Sequence, residues 1–306
     1  MTLRAAHLFT DDWTVAGALV SSVAAVVAAV ALARLADFEG PRGAGWRAVA
    51  ALLLWPTSVF LFAGYSETLF LAFAIPAWLA ARRDRWPLAA GLAACASCVR
   101  ITGLFLALAL VVEFFTSRSP ERGPERGPER RPVRQAGWLA VPFVPLALSA
   151  VWQRVRGGDW LDWRQAQEAG WGRHLAWPWE SLATTWQAAM GDGRFVWIFR
   201  LELAGALVGI GLVLLLLRLR RWSELVYVGL QVGALVCSAY YLSIPRAALL
   251  WWPVFLLVGR ASTPAPPRLP GWRQWPRHWG IVVYALVAGP LMALNTLTLL
   301  DGVWAG

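Results

Sequence analysis

The sequence predicts an all-α, polytopic integral membrane protein of about ten transmembrane helices with one Trp-rich outer loop. Three observations predict it. Of the 306 residues 58% are hydrophobic, and only 15% are charged, against about 25% in soluble chains. The apolar residues gather in long runs, and the mean hydropathy is +0.52. Many of the 21 Trp flank those runs, among them Trp13, Trp46, Trp86, Trp138, Trp222 and Trp252, which is the pattern of an aromatic belt.

The runs fall at 14–34, 46–63, 67–82, 86–99, 101–116, 137–155, 197–217, 223–243, 247–259 and 279–299. A span takes about 20 residues, so 86–99 and 247–259 are short and must be broken helices or borrow flanking residues. Thr14–Leu35 is long enough to span and does not read as a signal peptide. The whole of 1–306 reads as one polytopic domain. Every one of the 28 basic residues is Arg, and with the excess of Ala, Gly and Pro this points to a GC-rich, bacterial genome. With the N-terminus outside, 19 Arg fall in inner segments and 9 in outer ones, so the positive-inside rule places both termini outside. Basic loops of this kind account for the pI near 10.8 without nucleic acid.

Two connecting segments stand out. Residues 117–135 contain a Gly-Pro-Glu-Arg repeat, and such Pro- and charge-rich sequence reads as a disordered cytoplasmic linker. A second Pro-rich linker is expected over Ser262–Pro276. The outer loop, 156–194, mixes six Trp with acids, amides and Arg. It reads either as an amphipathic hairpin lying in the interface or as an acceptor-binding loop, since Trp faces stack on sugar rings while amides and carboxylates bond their hydroxyls. Cys95 and Cys98 are spaced C-x-x-C without a second ligand pair, so they read as small packing residues and no metal site is predicted.

Polar knots interrupt the apolar runs. Gly64-Tyr65-Ser66-Glu67-Thr68 joins two of them, Arg100-Ile101-Thr102-Gly103 the next two, and Tyr240 to Arg246 a later pair. A charge at the end of a lipid-embedded segment costs roughly 3 kcal/mol on insertion scales unless it is paired or solvated. The expected topology puts all three knots and the Trp-rich loop on the outer face. Glu67 and Arg100 then read as a candidate pair or as snorkelling residues, and Arg246 as a clamp for lipid phosphate, because a guanidinium forks onto phosphate.

The block from Trp55 to Gly103, WPTSVFLFAGYSETLF followed by AWLAARRDRWPLAAGLAACASCVRITG, resembles the central block of the GPI mannosyltransferase 2 (PIG-V-like) family, of GT-C type. Tyr65-Ser66-Glu67 is its most specific element; Cys98 and Ile101 depart from the usual pattern. Gln165, Gln167 and Trp171, followed by Pro178-Trp179, resemble a Gln…Trp…Pro-Trp loop of the same family, and Pro245-Arg246 resembles its Pro-Arg. The resemblance implies a GT-C-like glycosyltransferase, a mannosyltransferase in the first instance. It would move a sugar from a polyprenyl-phosphate donor to a glycan, lipid or protein acceptor at the extracytoplasmic face. The substrate-binding residues implied are Tyr65, Ser66, Glu67, Arg100, Gln165, Gln167, Trp171 and Arg246. No cofactor is assigned, although the chemistry leaves room for a divalent cation. The family's acidic Trp-Asp motif lies in a first outer loop. Met1–His7 resembles only the end of that loop, so its first helix and loop are expected to be missing here. That leaves Glu67 as a weak catalytic candidate, and Asp11 and Asp12 as helix-cap residues near Thr14. Two other readings are a transporter or lipid flippase, and an inactive partner subunit.

Overall fold

The structure, a computed structural model, describes residues 12–116, 133–156, 158–160, 162–193, 195–263 and 271–302. It is helical throughout. Among the described residues the extended structure is one isolated antiparallel bridge, Leu175 with Ser238. The expected linker lies outside the described residues as far as residue 132.

Twelve helices of ten or more residues order the described chain: α1 Trp13–Glu39, α2 Ala44–Leu53, α3 Ser66–Arg82, α4 Trp86–Val99, α5 Gly103–Thr116, α6 Val144–Val155, α7 Asp162–Trp171, α8 Pro178–Met190, α9 Val196–Arg218, α10 Trp222–Val236, α11 Trp252–Ser262 and α12 Gly271–Leu300. Four segments among them are long and apolar enough to cross a membrane: α1, Arg134–Val155 ending in α6, α9, and Trp279–Leu300 of α12. A fifth arises if Ile244–Leu250 and α11 form one broken span. The other apolar helices, α2, α4, α5 and α10, have 10–17 residues. At 1.5 Å per residue they fall short of a hydrocarbon core about 30 Å thick. The chain is thus an all-helical protein with membrane-spanning segments, and it does not carry ten full-length spans among its described residues. The shortfall has local causes. Run 46–63 breaks after Leu53, where Pro56 removes an amide and disfavours helix in the residue before it. Run 223–243 stops at Val236. Helix α12 starts at Gly271, inside the stretch expected as a linker.

The contacts divide the chain into two compact units. The first, residues 1–80 and 249–305, holds α1, α2, most of α3, α11 and α12. Asp12 caps α1, its carboxylate accepting the Thr14 amide at 2.6 Å. Small residues let the helices cross closely: a Cβ on Gly259 of α11 would stand 2.7 Å from the Ala44 carbonyl of α2. Asp37 of α1 accepts the Gly45 amide at 2.8 Å, serving the N-terminus of α2 where Gly43 offers no side-chain cap. The break after α2 is served by α12. Tyr284 donates to the Ala51 carbonyl at 2.7 Å and Asn295 to the Pro56 carbonyl at 2.9 Å, so carbonyls beside the break keep partners.

The second unit, residues 81–248, holds α4 to α10. Helix α4 buries Ala89, Ala90, Ala93, Ala96 and Ser97; Cys95 and Cys98 fall off that face and are exposed, not packed as the sequence led us to expect. Three carboxylates are buried within its helices. Glu113 of α5 accepts from Arg82 at 2.8 Å and from Ser223 at 2.5 Å; Glu224 of α10 pairs with Arg221; Glu202 of α9 belongs to the site below. Each engages a donor, as burial of a charge requires.

Candidate functional site

The site grows from one face of α9. Glu202 and Gly205, three residues apart, lie on the same side of that helix. Against them sits the one-turn helix Ile244–Ala247, which carries Arg246. The first amides of any helical turn lack internal acceptors, and here Ser243 makes no side-chain cap bond. Glu202 supplies both acceptors instead: its carboxylate takes the Ser243 amide at 2.6 Å and the Ile244 amide at 2.7 Å. These charge-assisted bonds hold Ser243 in the left-handed region, at φ 62°. Gly205 gives the turn room, for a Cβ there would meet Ile244 Cγ2 at 3.2 Å and the Pro245 ring at 3.3 Å.

The chain leading into the turn is held from a second side by the Trp-rich segment. The Ala176 amide donates to the Cys237 carbonyl at 2.9 Å, and the Ala239 amide to the His174 carbonyl at 3.0 Å. Thr185 of α8 accepts the Tyr241 amide at 2.9 Å while its hydroxyl donates to the Ser181 carbonyl at 2.7 Å. Arg173 reaches across, one guanidinium nitrogen donating to the Leu242 carbonyl at 2.8 Å. Its position follows from the end of α7, where Gly172 takes φ 60° and the Arg173 amide donates to the Gln167 carbonyl at 3.2 Å.

Arg173, Tyr240, Glu202 and Arg246 therefore share one electrostatic neighbourhood. Burial lowers the Arg173 pKa below its ordinary value and Arg246 adds to that, whereas Tyr240 and Glu202 oppose it. Glu202, whose oxygens accept two amides, thus feels the charge of both guanidinium groups. Among the described residues the buried Nε–H of Arg173 has no acceptor. Positive charge and forked donors fixed on rigid backbone suit a phosphate or another oxyanion.

The structure places the residues singled out in the sequence as follows. Arg246 sits in the Glu202–Gly205 seat. Gln165 and Gln167 are exposed on α7, whose last residue is Trp171. Arg100 ends α4 in extended backbone, and its charge is felt by the fully buried Tyr227 of α10. Tyr65, Ser66 and Glu67 belong to the first unit. There Gly64, at φ 77°, lets the chain pass close to the Gly17 backbone, Tyr65 packs edge-on against Phe60, and Thr68 donates to the Leu61 carbonyl at 2.8 Å. Glu67 is buried in the first turn of α3. Among the described residues no three His, Cys, Asp or Glu stand close enough to hold a metal ion.

Sequence reasoning passed over Glu202 and gave Arg173 no role. The signal for Glu202 was present: a lone carboxylate within a run that is apolar but for Arg200, followed three residues later by Gly. Arg173 carried no such mark, because its use depends on a turn 69 residues away. No protein-family model matches the chain, and no curated protein or solved structure matches it.

Proposed function

We propose that this chain is a membrane glycosyltransferase of GT-C type, taking a sugar, mannose in the first instance, from a polyprenyl-phosphate donor. In this reading the reaction runs at the extracytoplasmic face, both ends of the chain lie outside, and the acceptor is a glycan, lipid or protein. The observation that carries the reading is the turn bearing Arg246, seated on Glu202 and entered through Leu242, whose carbonyl accepts from Arg173. In the step envisaged, an acceptor hydroxyl attacks the sugar's anomeric carbon and the bond from that carbon to the phosphate oxygen breaks. The hydroxyl proton passes to a carboxylate and polyprenyl phosphate departs. Charge then grows on the phosphate, and the two guanidinium groups stabilise it there. A lipid-linked donor requires no nucleotide-binding loop.

The buried carboxylates Glu113 and Glu224 favour a second reading, a transporter or flippase, because intramembrane acids commonly line transport paths. Arg82, Ser223 and Arg221 engage them, which makes the first reading the better one. One assay separates the two. Reconstituted protein is given a radiolabelled polyprenyl-phosphate sugar and a panel of acceptors. Transfer of label to an acceptor, abolished in Arg246→Ala and strongly reduced in Arg246→Lys, supports the enzyme. Label that changes leaflet without changing chemical identity supports the transporter, and full transfer by both variants removes Arg246 from the site.

A further inference from the structure

Helix α8 has three faces of different chemistry. Toward the rest of the second unit it turns Ser181, Thr185 and Ala189, all buried. A second edge carries Glu180, Thr184 and Gln187, exposed to solvent, with Glu180 also accepting the Trp177 amide at 3.1 Å. The third face is an apolar stripe. Trp179, Leu182, Trp186 and Met190, spaced three and four residues apart, are 62%, 45%, 55% and 52% exposed. Glu180 is the only charged residue on the helix.

The neighbours of α8 say what covers this stripe. Helix α8 packs against α9, and Arg200 of α9 donates from Nε to the Ala189 carbonyl at 3.0 Å. The last turn of α8 is thereby tied to the start of a helix long and apolar enough to cross a membrane. At that start Phe195 and Trp197 are themselves half exposed. With α9 crossing a membrane, the stripe would end at headgroup depth, where Trp is favoured. A lipid–water boundary accounts for both outward faces at once, since one side is apolar and the other is wet.

We propose that α8 is an interfacial helix, lying along the membrane surface with Trp179, Leu182, Trp186 and Met190 among the lipid acyl chains and with Glu180, Thr184 and Gln187 in water. Its buried face, through Thr185, then holds Tyr241, and with it the approach to Arg246, at headgroup depth. The inference rests on the chain spanning a membrane and is independent of glycosyl transfer.

The test places single nitroxide labels on the full chain, with Cys95, Cys98 and Cys237 replaced by Ala, in phosphatidylethanolamine–phosphatidylglycerol vesicles. Labels go at Leu182→Cys and Met190→Cys on the stripe, and at Thr184→Cys and Gln187→Cys on the polar edge. Two sites per face keep the comparison open if one variant fails to fold. Collision with oxygen, which concentrates in lipid, is compared with collision with a water-soluble nickel chelate. The expected result is an oxygen-to-nickel ratio severalfold higher on the stripe than on the edge. Equal ratios overturn the proposal. So does dipolar broadening between labels on the stripe, which would show a second copy of the chain covering it.

Discussion

Glu202 is the residue on which the site depends most. Both of its oxygens accept amides of the turn that carries Arg246. Glu202→Gln keeps the shape but turns one acceptor into a donor facing an N–H. A buried donor left unsatisfied costs about 1–3 kcal/mol, so this variant should unfold earlier in detergent, and Glu202→Leu, which strands two amides, earlier still. Glu180→Gln is the matched control, because Gln serves a capping box as well as Glu does. Equal midpoints for Glu202→Gln and Glu180→Gln would contradict the role assigned to Glu202. The sequence showed Arg246 and its Pro-Arg setting because both lie in one short knot. It did not show Arg173 as a partner, because that contact closes over a long stretch of chain.

At the scale of elements, α9 offers an internal comparison. A Cβ on Gly205 would press on Ile244 and Pro245, whereas one on Gly211 would meet nothing within 4 Å. Gly211→Ala should therefore stabilise by up to about 1 kcal/mol, the ordinary gain in a helix interior, and Gly205→Ala should lose that gain or reverse it. Thermal unfolding of the pair checks this; equal shifts would mean that the one-turn helix does not rest on Gly205. The break after α2 makes a second prediction. Tyr284→Phe removes the donor to the Ala51 carbonyl and should cost about 0.5–1.5 kcal/mol, read from the same unfolding curves. Helix α4 was legible to its ends, since Trp86-Pro87 marks a start and the polar knot at Arg100 a stop. The break at Pro56 was not, because a count of apolar residues passes over one missing amide whose neighbouring carbonyls find partners on a helix more than 200 residues away.

At the scale of the molecule, the expected arrangement of the chain across the membrane rests on its Arg distribution. A reporter active only in the cytoplasm should work when fused after Arg126 and fail when fused after Ala166; the same result at both points would contradict it. The all-helical, membrane-spanning class was legible because long apolar runs have few other structures open to them. The number of full-length spans was not, because runs such as 86–99 and 101–116 form helices of only 14 residues and run 46–63 breaks before Pro56. In the proposed reading Arg173 and Arg246 grip one phosphate. Equilibrium binding of undecaprenyl phosphate to the purified full chain tests it most directly, using Arg173→Lys, Arg246→Lys and the double variant. A shared phosphate predicts that each single change weakens binding about tenfold or more, about 1.4 kcal/mol, and that the double variant loses less than the two together. Unchanged binding in both single variants, or losses that simply add, would contradict it.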